Sequence, residues 1–187
     1  IDVWPTLMII DPATEAVVLR WAGTATAAQI EKLALDGERA LRNARASDAD
    51  AALARADRLA GERRHADAAA AYRDALAKGG PRWPGRARAA EARVQALGLA
   101  GDPVACTDAA REALPHVPSG PGRARVAAQG LSCALELEDE AARRAALAAL
   151  EPAARRALDA KDVLADDRSW LYDGLAAARD AAGDAAG

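Results

Sequence analysis

PGRAR occurs at Pro84–Arg88 and again at Pro121–Arg125, 37 residues further on. The likeness extends beyond those five residues. Ala96-Leu97-x-Leu99 is echoed by Ala134-Leu135-x-Leu137, and Ala75-Leu76 by Ala113-Leu114, both at a spacing of 38. Self-similarity at one period marks a repeat architecture, in which each unit has an apolar face that only a stacked neighbour can bury. From about Asp48 onward strand signals disappear and helical periodicity takes over, so the repeating unit reads as helix–turn–helix and the chain as mainly α.

Composition agrees. Of the 187 residues 51% are hydrophobic, yet Phe is absent and aromatics are 3%, so the apolar surface is mostly Ala and Leu. Both are strong helix formers. Small side chains let helices approach closely but bury little area each, so such a core needs many helices in contact. Charged residues at 28% and a net charge of −3 describe an ordinary solvated surface. They give no clustered basic face of the kind nucleic acid requires. Only Lys32, Lys78 and Lys161 are lysines among 25 basic residues, and the Ala/Arg bias reads as coding composition without a function. No apolar run reaches about 18 residues, so no membrane span is expected. No charged segment precedes an apolar one at the start. Cys106 and Cys133 form neither a C-x-x-C nor a metal-ligand pattern, and the compartment stays open between cytoplasm and periplasm.

The first unit, residues 48–84, has a helix from about Asp50 to Gly61 carrying Ala52, Ala56 and Leu59. A turn at Glu62–His65 follows, then a second helix with Ala68, Tyr72 and Ala75-Leu76, broken at Gly79-Gly80-Pro81. This small–aromatic–small pattern closed by proline resembles a tetratricopeptide repeat (TPR), whose period is about 34 residues. The second unit, 85–121, places Val94, Leu97 and Gly101 in its first helix, then Cys106, Ala110 and Ala113-Leu114, closing at Pro115 and Pro118. Ala110 stands where the large aromatic would be, so this copy is degenerate. The third, 122–160, passes through Leu131 and Leu135, turns at Glu138-Asp139 and continues to about Ala160, with Pro152 kinking that helix or starting a new one. A last helix, 164–182, carries Trp170, Leu171 and Leu175. The resemblance implies a solenoid of antiparallel helix pairs over residues 44–187, with a protein or peptide partner on the repeat face.

Residues 1–43 differ. Thr6–Ile10 is a continuous apolar run, the pattern of a covered strand. Asp11-Pro12-Ala13-Thr14-Glu15 has turn chemistry, and Val17–Trp21 reads as a second strand ended by Gly23. Thr26-x-x-Gln29 is a capping box opening a helix with apolar positions Ile30, Leu33 and Leu41, ending near Asn43. Trp4-Pro5-Thr6, strand, Asp, strand, Gly and helix, in that order, resemble the C-terminal half of a thioredoxin-like domain. The resemblance implies that Pro5 is cis beside redox-active cysteines, and that Trp4, Pro5 and Thr6 shape a substrate groove. The family's C-x-x-C belongs on a preceding strand-to-helix turn, which this chain lacks. The expectation is therefore a piece of a larger protein, with no catalytic residue of its own.

Other residues carry plainer readings. Cys106 and Cys133 read as inert buried thiols, with a structural or regulatory disulfide as the alternative. His65 and His116 lack ligand spacing. Asp162, Asp166 and Asp167 flank the start of the last helix, where acids complement the helix dipole. Arg86, Arg88, Arg123 and Arg125 open successive helices and read as a solvated ridge, the alternative being an acidic-peptide site. No metal site and no cofactor is expected. The functional expectation is the tail of a thioredoxin-like thiol–disulfide oxidoreductase joined to TPR-like partner-binding repeats. A non-catalytic helical-repeat scaffold is the alternative.

Overall fold

The computed structural model describes residues 5–15, 17–42 and 47–182. Among them are two strands, β1 (Thr6–Ile10) and β2 (Val17–Ala22), and eight helices: α1 (Ala27–Arg42), α2 (Asp48–Gly61), α3 (His65–Gly79), α4 (Arg86–Leu99), α5 (Pro103–Ala113), α6 (Pro121–Leu135), α7 (Glu140–Leu158) and α8 (Ala165–Ala182). The chain is thus mainly helical with one small antiparallel sheet. Its contacts divide it into two compact units, Ile1–Ala89 and Ala90–Gly187.

In the first unit β1 and β2 pair antiparallel, with Leu7 opposite Trp21, Met8 opposite Arg20 and Ile9 opposite Leu19, and an irregularity between Ile9 and Ile10. Asp11 organises the turn. Its carboxylate accepts from the Ala13 amide and the Thr14 hydroxyl, both at 2.9 Å. The capping box before α1 is formed: the Thr26 amide donates to Gln29 Oε1 at 2.8 Å, and the Gln29 amide to Thr26 Oγ1 at 3.3 Å. Gly37 is where α1 meets the hairpin, because a Cβ there would sit 2.7 Å from Ile9 Cγ2. Leu33 is buried, but Ile30 and Leu41 are 46% and 45% exposed. The expected three-residue apolar stripe of α1 is therefore buried only at its centre, since two strands are too narrow to cover a whole helix face.

Helices α2 and α3 pack together and α2 also packs on β2. Ala52, Ala56 and Leu59 from α2 meet Ala68, Tyr72 and Ala75 from α3, all buried, as the small–aromatic–small pattern requires.

In the second unit α6 is the central helix, packed on α5, α7 and α8. Val126, Leu131, Leu147, Leu150, Leu171 and Leu175 supply its larger buried side chains. Asp102 and Asp139 cap α5 and α7, accepting from the Ala105 and Ala142 amides at 2.9 and 2.6 Å. Pro152 lies inside α7, which continues unbroken to Leu158, so no new helix starts there. Pro152 and Ala148 are both exposed, so water can serve the Ala148 carbonyl that proline leaves without a donor.

Gly130 sets the spacing of α6. A Cβ there would lie 2.7 Å from the Ala110 Cβ and 3.4 Å from both Leu150 methyls. Alanine would gain about 1 kcal/mol in helix propensity, but overpacking of this kind costs about 1–3 kcal/mol. Gly130→Ala is therefore expected to lower the urea midpoint. An unchanged or raised midpoint would show that α5 yields freely.

Candidate functional site

The two PGRAR copies have the same local roles. The first arginine of each reaches back six residues to a loop carbonyl: Arg86 Nη1 donates to the Gly80 oxygen at 3.5 Å, and Arg123 Nε and Nη2 to the Val117 oxygen at 2.9 and 2.6 Å. Arg143 does likewise to Leu137 at 3.0 Å. Arg168 gathers the Leu158, Ala160 and Val163 carbonyls at 2.5, 3.2 and 3.3 Å. Carbonyls at and beyond the end of a helix have no helical donor to serve them, and a guanidinium with five N–H groups reaches them where one ammonium point charge cannot fork. The arginine bias thus has a structural use that composition alone did not reveal.

The second arginine of each copy makes an ion pair. Arg88 bonds Asp57 on α2. Arg125, only 5% exposed, bonds Glu91 of α4 at 2.6 Å and Asp167 of α8 at 3.1 Å. Neither the solvated ridge nor the acidic-peptide site read from these arginines is present, because they are consumed by the chain's own carbonyls and carboxylates. Asp166 and Asp167 do stand in the first turn of α8, and Asp167 has an inward partner as well. It is 4% exposed and faces Arg125.

Asp57 is a functional-looking residue that sequence reasoning missed. It is fully buried, accepts from the Tyr72 hydroxyl at 2.8 Å and pairs with Arg88. Burial pushes its carboxyl above the usual carboxylate value, and the opposing pull of Arg88, Tyr72 and the Arg20 amide does not cancel that. Burial, reinforced by Asp57, also pushes the Tyr72 phenol well above its ordinary value. The available signal was an acid one helical turn after Leu53, on the stripe that otherwise carries Ala49, Ala56 and Ala60.

The same pair finishes the sheet edge. The Arg20 amide donates to Asp57 Oδ2 at 3.4 Å, and Arg88 Nη2 donates to the Arg20 carbonyl at 3.1 Å. Both backbone groups of Arg20 therefore point away from β1. Met8, opposite Arg20, must present its own amide and carbonyl outward on the other edge.

A second latch involves Trp83. Its indole lies over two glycines, since a Cβ at Gly79 or Gly85 would fall 2.4 Å from ring atoms. Its Nε1 donates to Asp50 Oδ1 at 2.9 Å, and Asp50 completes the capping box with Ser47. Partial burial raises the Asp50 pKa, but the Ser47 and Trp83 hydrogen bonds outweigh it and hold the carboxyl below its ordinary value. A depressed carboxyl contributes stability above its unfolded value of 3.8 and loses it as pH falls through the folded one. Trp83→Phe keeps the ring and removes the donor. It should move the Asp50 titration upward and cost about 1 kcal/mol at neutral pH, a loss that closes in acid. Carboxyl NMR titration with urea midpoints at both pH values checks this.

Cys106 and Cys133 are joined by a disulfide linking α5 to α6, with Cα atoms 6.1 Å apart, and no free cysteine remains. The expectation of two inert thiols is corrected. Cys106 does occupy a small-residue packing slot, but the slot opposite holds the other cysteine. Cys106 precedes Ala110 by one turn, Cys133 follows Gly130 by one turn, and Ala110 meets Gly130. The side chain of Gln129 donates to Cys133 Sγ at 3.5 Å.

The proposed groove residues are not gathered with any of this chemistry. Trp4 lies outside the described residues. Pro5 is half-buried, its carbonyl accepting from the Gly23 amide at 2.8 Å, and Thr6 starts β1 opposite Ala22. His65 opens α3, half-buried, and His116 is exposed after α5. Among the described residues no group of three or more His, Cys, Asp or Glu is placed to hold a metal ion, and no helix is long and apolar enough to cross a membrane. A shallow open groove on α1 is lined by Ala28, Glu31, Lys32, Leu35 and Asp36. It lies on one helix and converges no reactive groups. In comparisons with family models, curated proteins and solved structures, nothing matches this chain.

Proposed function

We propose that this chain is the C-terminal part of a thioredoxin-like thiol–disulfide oxidoreductase joined to TPR-like helical repeats that bind a protein partner. The redox cysteines lie outside it. The observation that carries the reading is the asymmetry of the hairpin edges. Asp57 and Arg88 close the outer edge of β2 at Arg20, whereas β1 presents the Met8 backbone outward from the uncharged run Thr6–Ile10. A strand whose edge is closed by charged side chains ends a sheet, and an uncharged strand is the kind that a further strand can extend. That is what the last two strands of a larger thioredoxin-like sheet require. Pro5 and Thr6 then stand at the head of β1, where with Trp4, which precedes them in the sequence, they shape the substrate groove. The paired use of Arg86 with Arg123, 37 residues apart on carbonyls six residues back, supports the repeat reading.

The non-catalytic scaffold is the second reading, favoured by the burial of both cysteines in a mutual disulfide. The native protein separates the two. A C-x-x-C a few tens of residues before Ile1, with turnover of a protein disulfide that falls at least tenfold in Pro5→Ala, is the expected result. A native protein without such cysteines, or without turnover, leaves the scaffold.

A further inference from the structure

We infer that the Cys106–Cys133 disulfide is a redox lock on α5, whose reduction releases that helix while α6, α7 and α8 stay packed. The inference stands on the second unit alone and goes beyond the functional reading above, because it needs neither a partner nor a redox site elsewhere.

It begins with what α5 buries. Between Pro103 and Ala113 the buried side chains are Cys106, Thr107, Ala109, Ala110 and Ala113, none larger than Thr or Cys. The other helices packed on α6 bring large anchors: Leu147 and Leu150 from α7, Leu171 and Leu175 from α8. Apolar stabilisation scales with area removed from water, so α5 is weakly held by burial. Its larger apolar neighbours, Leu114 and Val117, come after its last turn, and they tether the segment at one end only. Arg93 and Glu112 add an ion pair at 2.9 Å, but the Glu112 side chain is 64% exposed, and such pairs contribute little. At the other end the chain turns through Gly101 at φ +70° into the Asp102 cap, a cap internal to α5 that does not fasten it to α6.

The covalent bond therefore reinforces a packing contact that is made only of small side chains. It closes a loop spanning a sequence separation of 27, and closing such a loop restricts the undocked chain. Without it, α5 keeps its own cap and hydrogen bonds but loses its fixed place on α6.

The reductant is a dithiol. One thiolate attacks Cys106 or Cys133 Sγ, breaking the S–S bond and forming a mixed disulfide. The reductant's second thiol then closes its own disulfide and expels the remaining cysteine. Two electrons and two protons pass to the protein, leaving Cys106 and Cys133 as thiols. With Cys106 0% and Cys133 2% exposed, attack follows opening of α5. The bond is protected while the lock is shut.

The test is amide hydrogen exchange on the whole chain, before and after reduction by dithiothreitol, and in a Cys106→Ala/Cys133→Ala variant without reductant. The chain has two cysteines, so the reductant has no other target. Exchange across residues 103–113 is expected to rise at least tenfold in both reduced protein and variant, while 121–135, 140–158 and 165–182 keep their protection. Unchanged protection of α5 would overturn the inference. So would loss of protection throughout 121–182, which would make the bond a staple of the whole unit. Thiol titration finding two free thiols in the purified native protein would end it at once.

Discussion

Arg125→Ala is expected to lower the stability of the 90–187 unit by about 3–5 kcal/mol, the usual loss when one partner of a buried ion cluster is removed. A domain has only about 5–15 kcal/mol in all, so the variant should lose a large fraction of that unit's stability. The reason is what alanine leaves behind. Arg125 donates to Glu91 on one side and to Asp167 on the other, and its side chain is 6% exposed. Without the guanidinium, the Glu91 and Asp167 carboxylates lose the cation that they share. Arg125→Lys keeps the charge but cannot donate in two directions from a planar fork, so it should recover only part of the loss. Arg155 is the control. It also pairs with a carboxylate, Glu151 at 2.5 Å, but its side chain is 48% exposed, and Arg155→Ala should cost under about 1 kcal/mol. Urea unfolding followed by circular dichroism measures all three. Arg125→Ala within 1 kcal/mol of the parent would mean the cluster is better hydrated than its burial indicates.

What the sequence made legible follows from period and caps, and what it hid follows from long-range pairing. Thr26 with Gln29 and Asp11 with Thr14 act within a few residues, so their geometry is local and readable. The 37-residue recurrence of PGRAR is visible as a spacing, and the stretch after Asp48 that reads as helical holds α2 to α8. Which side of a helix an arginine faces, and whether a carboxylate 31 or 42 residues away waits there, depends on packing that no local pattern encodes. Arg88 and Arg125 therefore read as surface, whereas Arg88 is half-buried and Arg125 is buried. Asp57 and Trp83 were passed over for the same reason: Trp83 finds Asp50 from 33 residues away. The disulfide was half legible. The small-residue slot at Cys106 was assigned correctly, but only the meeting of Ala110 with Gly130 shows that Cys133 lies across from it. Two of the proposed groove residues, Pro5 and Thr6, can be placed at the head of β1. Their part in a substrate groove rests on the resemblance alone, because no reactive side chain stands beside them among the described residues.

Asp57→Ala should rival Arg125→Ala, at about 3–5 kcal/mol in the first unit, and it carries a pH signature that separates it from a simple cavity. Asp57 satisfies three donors at once: Arg88, the Tyr72 hydroxyl and the Arg20 amide. Its loss takes a buried acceptor from all three, and frees the Arg20 amide at the outer edge of β2. Asp57→Asn preserves shape and one acceptor oxygen, so it should cost less. The pH dependence runs against habit. Burial raises the folded carboxyl above its unfolded value of 3.8, so the folded state holds the proton more tightly than the unfolded chain. Stability from this group is then fully present below the unfolded value and declines as pH rises through the folded one. Wild type should gain on Asp57→Asn as pH is lowered across that window, even while other carboxylates destabilise both proteins in acid. Urea midpoints for the pair, taken at steps from pH 3 to pH 7, give the difference directly. A gap that narrows toward acid would mean that Arg88 dominates and that Asp57 is an ordinary depressed carboxylate. A gap that widens means that the helix pair and the hairpin are fastened by an acid whose charge folding tolerates, held there by the backbone of Arg20, the phenol of Tyr72 and the guanidinium of Arg88.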